Sequence, residues 1–160
     1  MQKGKMKTMD TKMKKNMIDM DAINNERVET TKKRVAHALK ILHAVASKLP
    51  EEEDGCSKEK LEDAVKNVGK AMSLLTVASE EMGFACSHFK WDDMILMDFE
   101  GVIAKLGNAL ADVIYTGCDD AYEGCSFELK SWVEEAHAQL AKVLGTLVNW
   151  FNEDVRLEDV

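Results

Sequence analysis

Apolar residues recur along this chain every three or four positions, the period of an amphipathic helix, over four long stretches. The first predicted helix runs from about Arg27 to Leu49, with Val28, Val35, Ala38, Leu39, Leu42, Val45 and Leu49 on its inner stripe; Pro50 and the polar run "PEEEDG" end it. The second starts near Ser57, an N-cap residue, carries Leu61, Ala64, Val65, Val68, Met72, Leu75 and Met82, and is expected to stop at Gly83. After a link "GFACSHFK", the third begins at Asp92 or Asp93, where acids suit the positive helix end. It carries Ile95, Phe99, Val102, Ile103, Leu106, Leu110 and Val113 to a stop at Gly117. The fourth is predicted from about Ser126, with Leu129, Trp132, Val133, Ala136, Leu140, Val143, Leu144, Leu147, Trp150 and Phe151. No stretch alternates apolar and polar as a half-buried strand would. Short links between helices of roughly 33–42 Å at 1.5 Å per residue predict an all-α, antiparallel, up-down-up-down four-helix bundle. Gly101 and Gly107 in the third helix are expected to mark close helix contact.

Ahead of the bundle, Met6, Met9, Met13, Met17 and Met20 recur at helical spacing among six lysines. Residues 1–25 therefore read as a basic Met/Lys arm, residues 26–155 as the bundle, and 156–160 as a tail. The arm carries +3 against the chain's −8, which leaves −11 on the remainder. An acidic body argues against nucleic acid as its partner. No run approaches the ~18 apolar residues of a membrane span. Lys and Asp interrupt the N-terminus where a signal peptide needs an apolar core, which points to a protein retained in the cell.

Candidate chemistry is sparse. His37 and His43 fall on the solvent side of the first helix, His88 in the middle link and His137 on the fourth helix; no two have the i, i+4 spacing of a helical metal site. Glu134 and His137 make one Glu-x-x-His pair, and a dinuclear carboxylate centre needs a second on another helix. There is no Gly-rich phosphate loop and no Gly-x-Ser-x-Gly elbow. No cofactor, metal or catalytic residue is expected.

The cysteines are more informative. Cys56 sits in the first link, and Cys118 and Cys125 flank the third, at the same predicted end of the bundle. Cys86 lies at the opposite end, far beyond the ~7 Å Cα separation a disulfide tolerates, and is expected to be free or to pair with another molecule. Bridges Cys56–Cys118, Cys56–Cys125 and Cys118–Cys125 all remain open on this argument. A zinc site from those three lacks a fourth ligand nearby.

Two segments carry a family resemblance. "CSKEKLEDAVKNVGKAMSLL", Cys56 to Leu75, resembles the second-helix box of plant pectin methylesterase and invertase inhibitors. "NALADVIYTGCDDAYEG", Asn108 to Gly124, is similar to their third-helix box, with Cys118, Asp120, Ala121, Tyr122 and Glu123 matching in order. The family's N-terminal helical hairpin has no counterpart here, and the Met/Lys arm stands in its place. The resemblance implies a four-helix bundle, a Cys56–Cys118 bridge that leaves Cys86 and Cys125 as free or alternative thiols, a secreted protein, and inhibition of a cell-wall carbohydrate enzyme without catalysis. Without it, the same sequence reads as an intracellular adaptor or scaffold bundle whose basic arm contacts a partner or a membrane surface.

Overall fold

A computed structural model describes residues 19–49, 58–116 and 122–153, with the side chains at 114–116, 122–127 and 150–153 left out of the description. Four α-helices make up nearly all of it, and no β-strand occurs among the described residues. They are α1 (Met20–Lys48), α2 (Lys58–Phe89), α3 (Met94–Thr116) and α4 (Tyr122–Glu153). Each packs on its sequence neighbours, and α1 also packs on α4, closing a four-helix bundle. Neighbours run in opposite directions. Asp21 and Arg34 of α1 meet His88 and Glu81 of α2. Met72 of α2 lies near Gly107 of α3, and Lys105 of α3 pairs with Glu135 of α4 at 3.3 Å. Lys130 of α4 donates to the Leu49 carbonyl oxygen at the end of α1, at 2.9 Å.

The buried positions repeat in sevens. In α2, Leu61, Val68, Leu75, Met82 and Phe89 form one row and Ala64, Ala71, Ala78 and Ala85 the other. α1 has Val28, Val35, Leu42 and Leu49 beside Asn24, Thr31, Ala38 and Val45. α3 pairs Ile95, Val102 and Ala109 with Phe99, Leu106 and Val113; α4 pairs Leu129, Ala136 and Val143 with Val133, Leu140 and Leu147. A period of 3.5 falls slightly short of 3.6, so helices that keep this seam buried wind left-handedly around one another. Large residues in one row and alanine in the other let α1 and α2 approach closely, and theirs is the most extensive helix–helix interface. Leu39, Val65, Met72, Ile103, Leu110, Trp132 and Leu144 flank the seam and are only partly buried.

Three expected boundaries are corrected. α1 begins at Met20 rather than near Arg27. Asp19 caps it, its carboxylate accepting from the Ala22 N–H at 3.2 Å, and buried Asn24 is satisfied by donating to the Met20 carbonyl oxygen at 2.7 Å and accepting from Arg27 at 2.9 Å. Thus residues 20–25 belong to the bundle and not to the arm.

α2 does not stop at Gly83 but runs to Phe89. Ala85, Cys86 and Phe89 extend its buried stripe, and that burial outweighs the ~1 kcal/mol a helical glycine costs. Cys86 and His88 are therefore helical, not loop residues. The helix ends instead at Lys90, in the left-handed region at φ 56°, with the Trp91 N–H donating to the Cys86 carbonyl oxygen at 2.9 Å. This is the six-to-one hydrogen bond of a Schellman cap, and beside it Trp91 stacks on Phe89 with ring centroids 4.6 Å apart.

α4 begins at Tyr122, four residues before Ser126, so Gly124 and Cys125 lie within a helix. Gly101 also differs from expectation. A Cβ there would meet nothing within 4 Å, whereas one at Gly107 would touch the Met72 side chain at 3.5 Å, so only Gly107 lies at a helix contact. The start of the third helix, expected at Asp92 or Asp93, is found within a residue or two: the Asp92 carboxylate accepts from the Met94 N–H at 2.9 Å, ahead of the first turn of α3.

Candidate functional site

The four cysteines fare differently. Cys56 and Cys118 lie outside the described residues. Cys125 lies in α4, with its side chain outside the description. Cys86 is a free, buried thiol whose Sγ is 3.8 Å from the Asp92 carbonyl oxygen. Burial first, and then the charges of Asp93 and Asp92, push it up to about 11 from an ordinary 9.0. At neutral pH it is protonated and shielded, which suits a core residue and not a nucleophile. Of the arm, residues 1–18 lie outside the described part.

The histidines divide into three settings. His37 is exposed on α1. His88, in the last turn of α2, meets Asp21 at 2.6 Å and ties the end of that helix to the start of α1. His43 of α1 and His137 of α4 face each other, ring centroids 5.9 Å apart, across a cleft of about 450 Å³ also lined by Ser47, Lys130 and Glu134. That cleft gathers the Glu134–His137 pair with His43 and Lys130. Even so, among the described residues no group of three His, Cys, Asp or Glu is placed to hold a metal ion.

A trough lies between α1 and α2. Its upper part, about 620 Å³, is lined by Arg34, His37, Ile41, Asn67, Lys70, Ser73, Leu74 and Val77. Its lower part, about 480 Å³, is lined by Ile41, Ala44, Val45, Lys48, Leu49, Lys60, Asp63, Ala64 and Asn67. The two adjoin at Ile41 and Asn67, which line both. The origin of the trough is local. Positions 34, 37, 41, 44 and 48 of α1, and 60, 63, 67, 70, 74 and 77 of α2, are those that point outward beside the heptad seam.

Both parts mix apolar and charged lining: Ile41, Leu74 and Val77 with Arg34 and Lys70 in the upper, Val45, Leu49 and Ala64 with Lys48, Lys60 and Asp63 in the lower. Ile41 and Leu74 are half-buried, and Val77 is 40% exposed. From Thr30 to Leu49, α1 carries Lys32, Lys33, Arg34, Lys40 and Lys48 and no acid. Arg34 is ion-paired with Glu81, and beyond it Arg27 lies over the exposed Phe84 ring at 4.8 Å. α3, by contrast, carries Asp98, Glu100 and Asp112 against Lys105 alone. α2 carries four lysines against five acids, Asp63 of the trough lining among them, so the basic character of the trough comes from Arg34 and Lys48 of α1 with Lys60 and Lys70 of α2. The stripe reading of the sequence did not anticipate the trough, although the acid-free run from Thr30 to Leu49 signalled half of it.

No helix among the described residues is long and apolar enough to cross a membrane. In comparison with known proteins, the chain matches no family model, no curated protein and no solved structure.

Proposed function

We propose that this protein is a non-catalytic helical bundle that acts by holding a protein partner, and that the outer α1–α2 face is where the partner docks. The trough supports this reading: apolar lining beside an excess of basic side chains, on a molecule of net charge −8. Apolar surface left open between charged rims is the usual character of an interaction site. The sharper form of the proposal is an inhibitor of a cell-wall carbohydrate enzyme, pectin methylesterase or invertase. Its support is the resemblance of the segments around Cys56 and Cys118 to the plant inhibitors, in which the corresponding cysteines are bridged.

Titration against purified plant pectin methylesterase and invertase tests it, together with non-reducing peptide mass spectrometry of the oxidised protein. The expected result is stoichiometric inhibition of one enzyme and a Cys56–Cys118 crosslink. Val77→Asp, at a position exposed enough to leave the fold intact, is expected to weaken inhibition by at least roughly tenfold, the scale of one lost apolar contact at an interface. Four free thiols and no inhibition would remove the inhibitor reading. Inhibition that Val77→Asp leaves unchanged would remove the α1–α2 face as the docking surface.

A further inference from the structure

We infer that the segment seated in the α1–α2 trough is an acidic amphipathic helix of the partner protein. The inference rests on the docking reading above and adds to it the chemistry of the occupant. The trough follows two antiparallel helices from Arg34 to Lys48, a span of about 21 Å at 1.5 Å per residue, which accommodates roughly four turns of a helix laid alongside as a fifth member of the bundle.

Its apolar lining runs from Leu74 and Val77 of α2 past Ile41 of α1 to Val45 and Leu49, the receptor for an apolar stripe at i, i+3 or i+4, and i+7. Its walls carry Lys48, Lys60 and Lys70 against Asp63, all exposed, beyond the Arg34–Glu81 pair, which leaves an excess of positive charge. A stripe that fills the floor brings its flanking residues level with those walls, and Asp or Glu there meets cations, whereas Lys or Arg meets like charge. The apolar contact supplies affinity, and the charge selects among helices. A lipid surface fits less well, because a flat headgroup layer touches the rims and leaves the recessed floor uncovered.

A display library of helices tests this. Each member carries an apolar stripe at i, i+3 and i+7, with the remaining positions random, and the library is panned on the immobilised full-length protein. The selected helices are expected to be enriched in Asp and Glu beside the stripe. Their binding is expected to weaken by about tenfold from low to high ionic strength. It should weaken by at least about tenfold in Lys70→Glu and in Leu74→Asp, with helical circular dichroism retained in both.

Selected helices that are neutral or basic, yet still lose binding in Leu74→Asp, overturn the acidic assignment and leave the docking surface standing. Selected helices indifferent to both substitutions overturn the docking surface itself. Two further measurements address other occupants. α3 exposes Met94 and Met97 beside Asp98 and Glu100, so light scattering that shows self-association abolished by Leu74→Asp assigns the trough to a second copy of this chain. Binding to phosphatidylserine vesicles that Lys70→Glu abolishes assigns it to lipid. Either result overturns the inference.

Discussion

Cys86 shows at a single residue how burial settles chemistry. Its thiol lies against the α2–α3 connection, shielded from solvent and near two carboxylates, and both effects oppose the thiolate. The consequence for stability has a definite sign. Below about pH 9 the thiol keeps its proton in the folded and unfolded chains alike, so its contribution is fully present. Between 9 and about 11 the unfolded chain loses the proton first, binds fewer protons than the folded one, and is favoured as pH rises. Urea titrations across that window are expected to show the wild type losing roughly 2–3 kcal/mol more than Cys86→Ala. At neutral pH the thiol should resist alkylation until the protein is unfolded. Asn24 shows the complementary case: a polar side chain in the heptad seam, satisfied within its own helix by Met20 and Arg27. A buried Asn in such a seam disfavours alternative registers, because a slipped helix leaves it facing apolar neighbours.

At the scale of an element, the end of α2 is decided by packing and only then by the cap. Gly83 offers a stopping point that the chain does not take, because Ala85, Cys86 and Phe89 have the core to gain. The stop comes at Lys90, where a side chain sits in the left-handed region that glycine enters without steric cost. Lys90→Gly is therefore expected to raise stability by about 1 kcal/mol, or a few degrees in thermal midpoint, while Lys90→Ala, which keeps the Cβ, gives no such gain. Differential scanning calorimetry of the two variants checks this. A Gly variant no more stable than the Ala variant would show that the strain is absorbed elsewhere.

For the molecule as a whole, stability resides in one seam shared by four helices. Among the described residues Phe99 is the largest fully buried side chain. Phe99→Ala is expected to cost about 3–5 kcal/mol in urea denaturation, a large part of the 5–15 kcal/mol available to a domain of this kind. The placement of charge also belongs to this scale. Arg34 and Lys48 of α1 come together with Lys60, Lys70 and Asp63 of α2 across the trough only because those two helices are neighbours. Raised ionic strength is therefore expected to act on what binds the trough more than on folding, since exposed ion pairs contribute little to stability.

Much of this was legible in the residues alone. Periodicity is a local property: where Val28, Val35 and Leu42 or Leu61, Val68 and Leu75 recur, a helix with one buried face follows whatever surrounds it. That determined four helices, their order and most of the core. Other features depend on partners distant in the chain. Whether Gly83 ends a helix depends on what Cys86 and Phe89 pack against. Whether Gly101 makes a contact depends on which way α3 is turned. His43 and His137, 94 positions apart in number, become neighbours only across the α1–α4 interface. The trough has the same origin. Ile41 and Leu74 are each an ordinary residue at the margin of an apolar stripe. The rotation and register of α1 against α2, set by how their seam residues pack, bring them to the same trough.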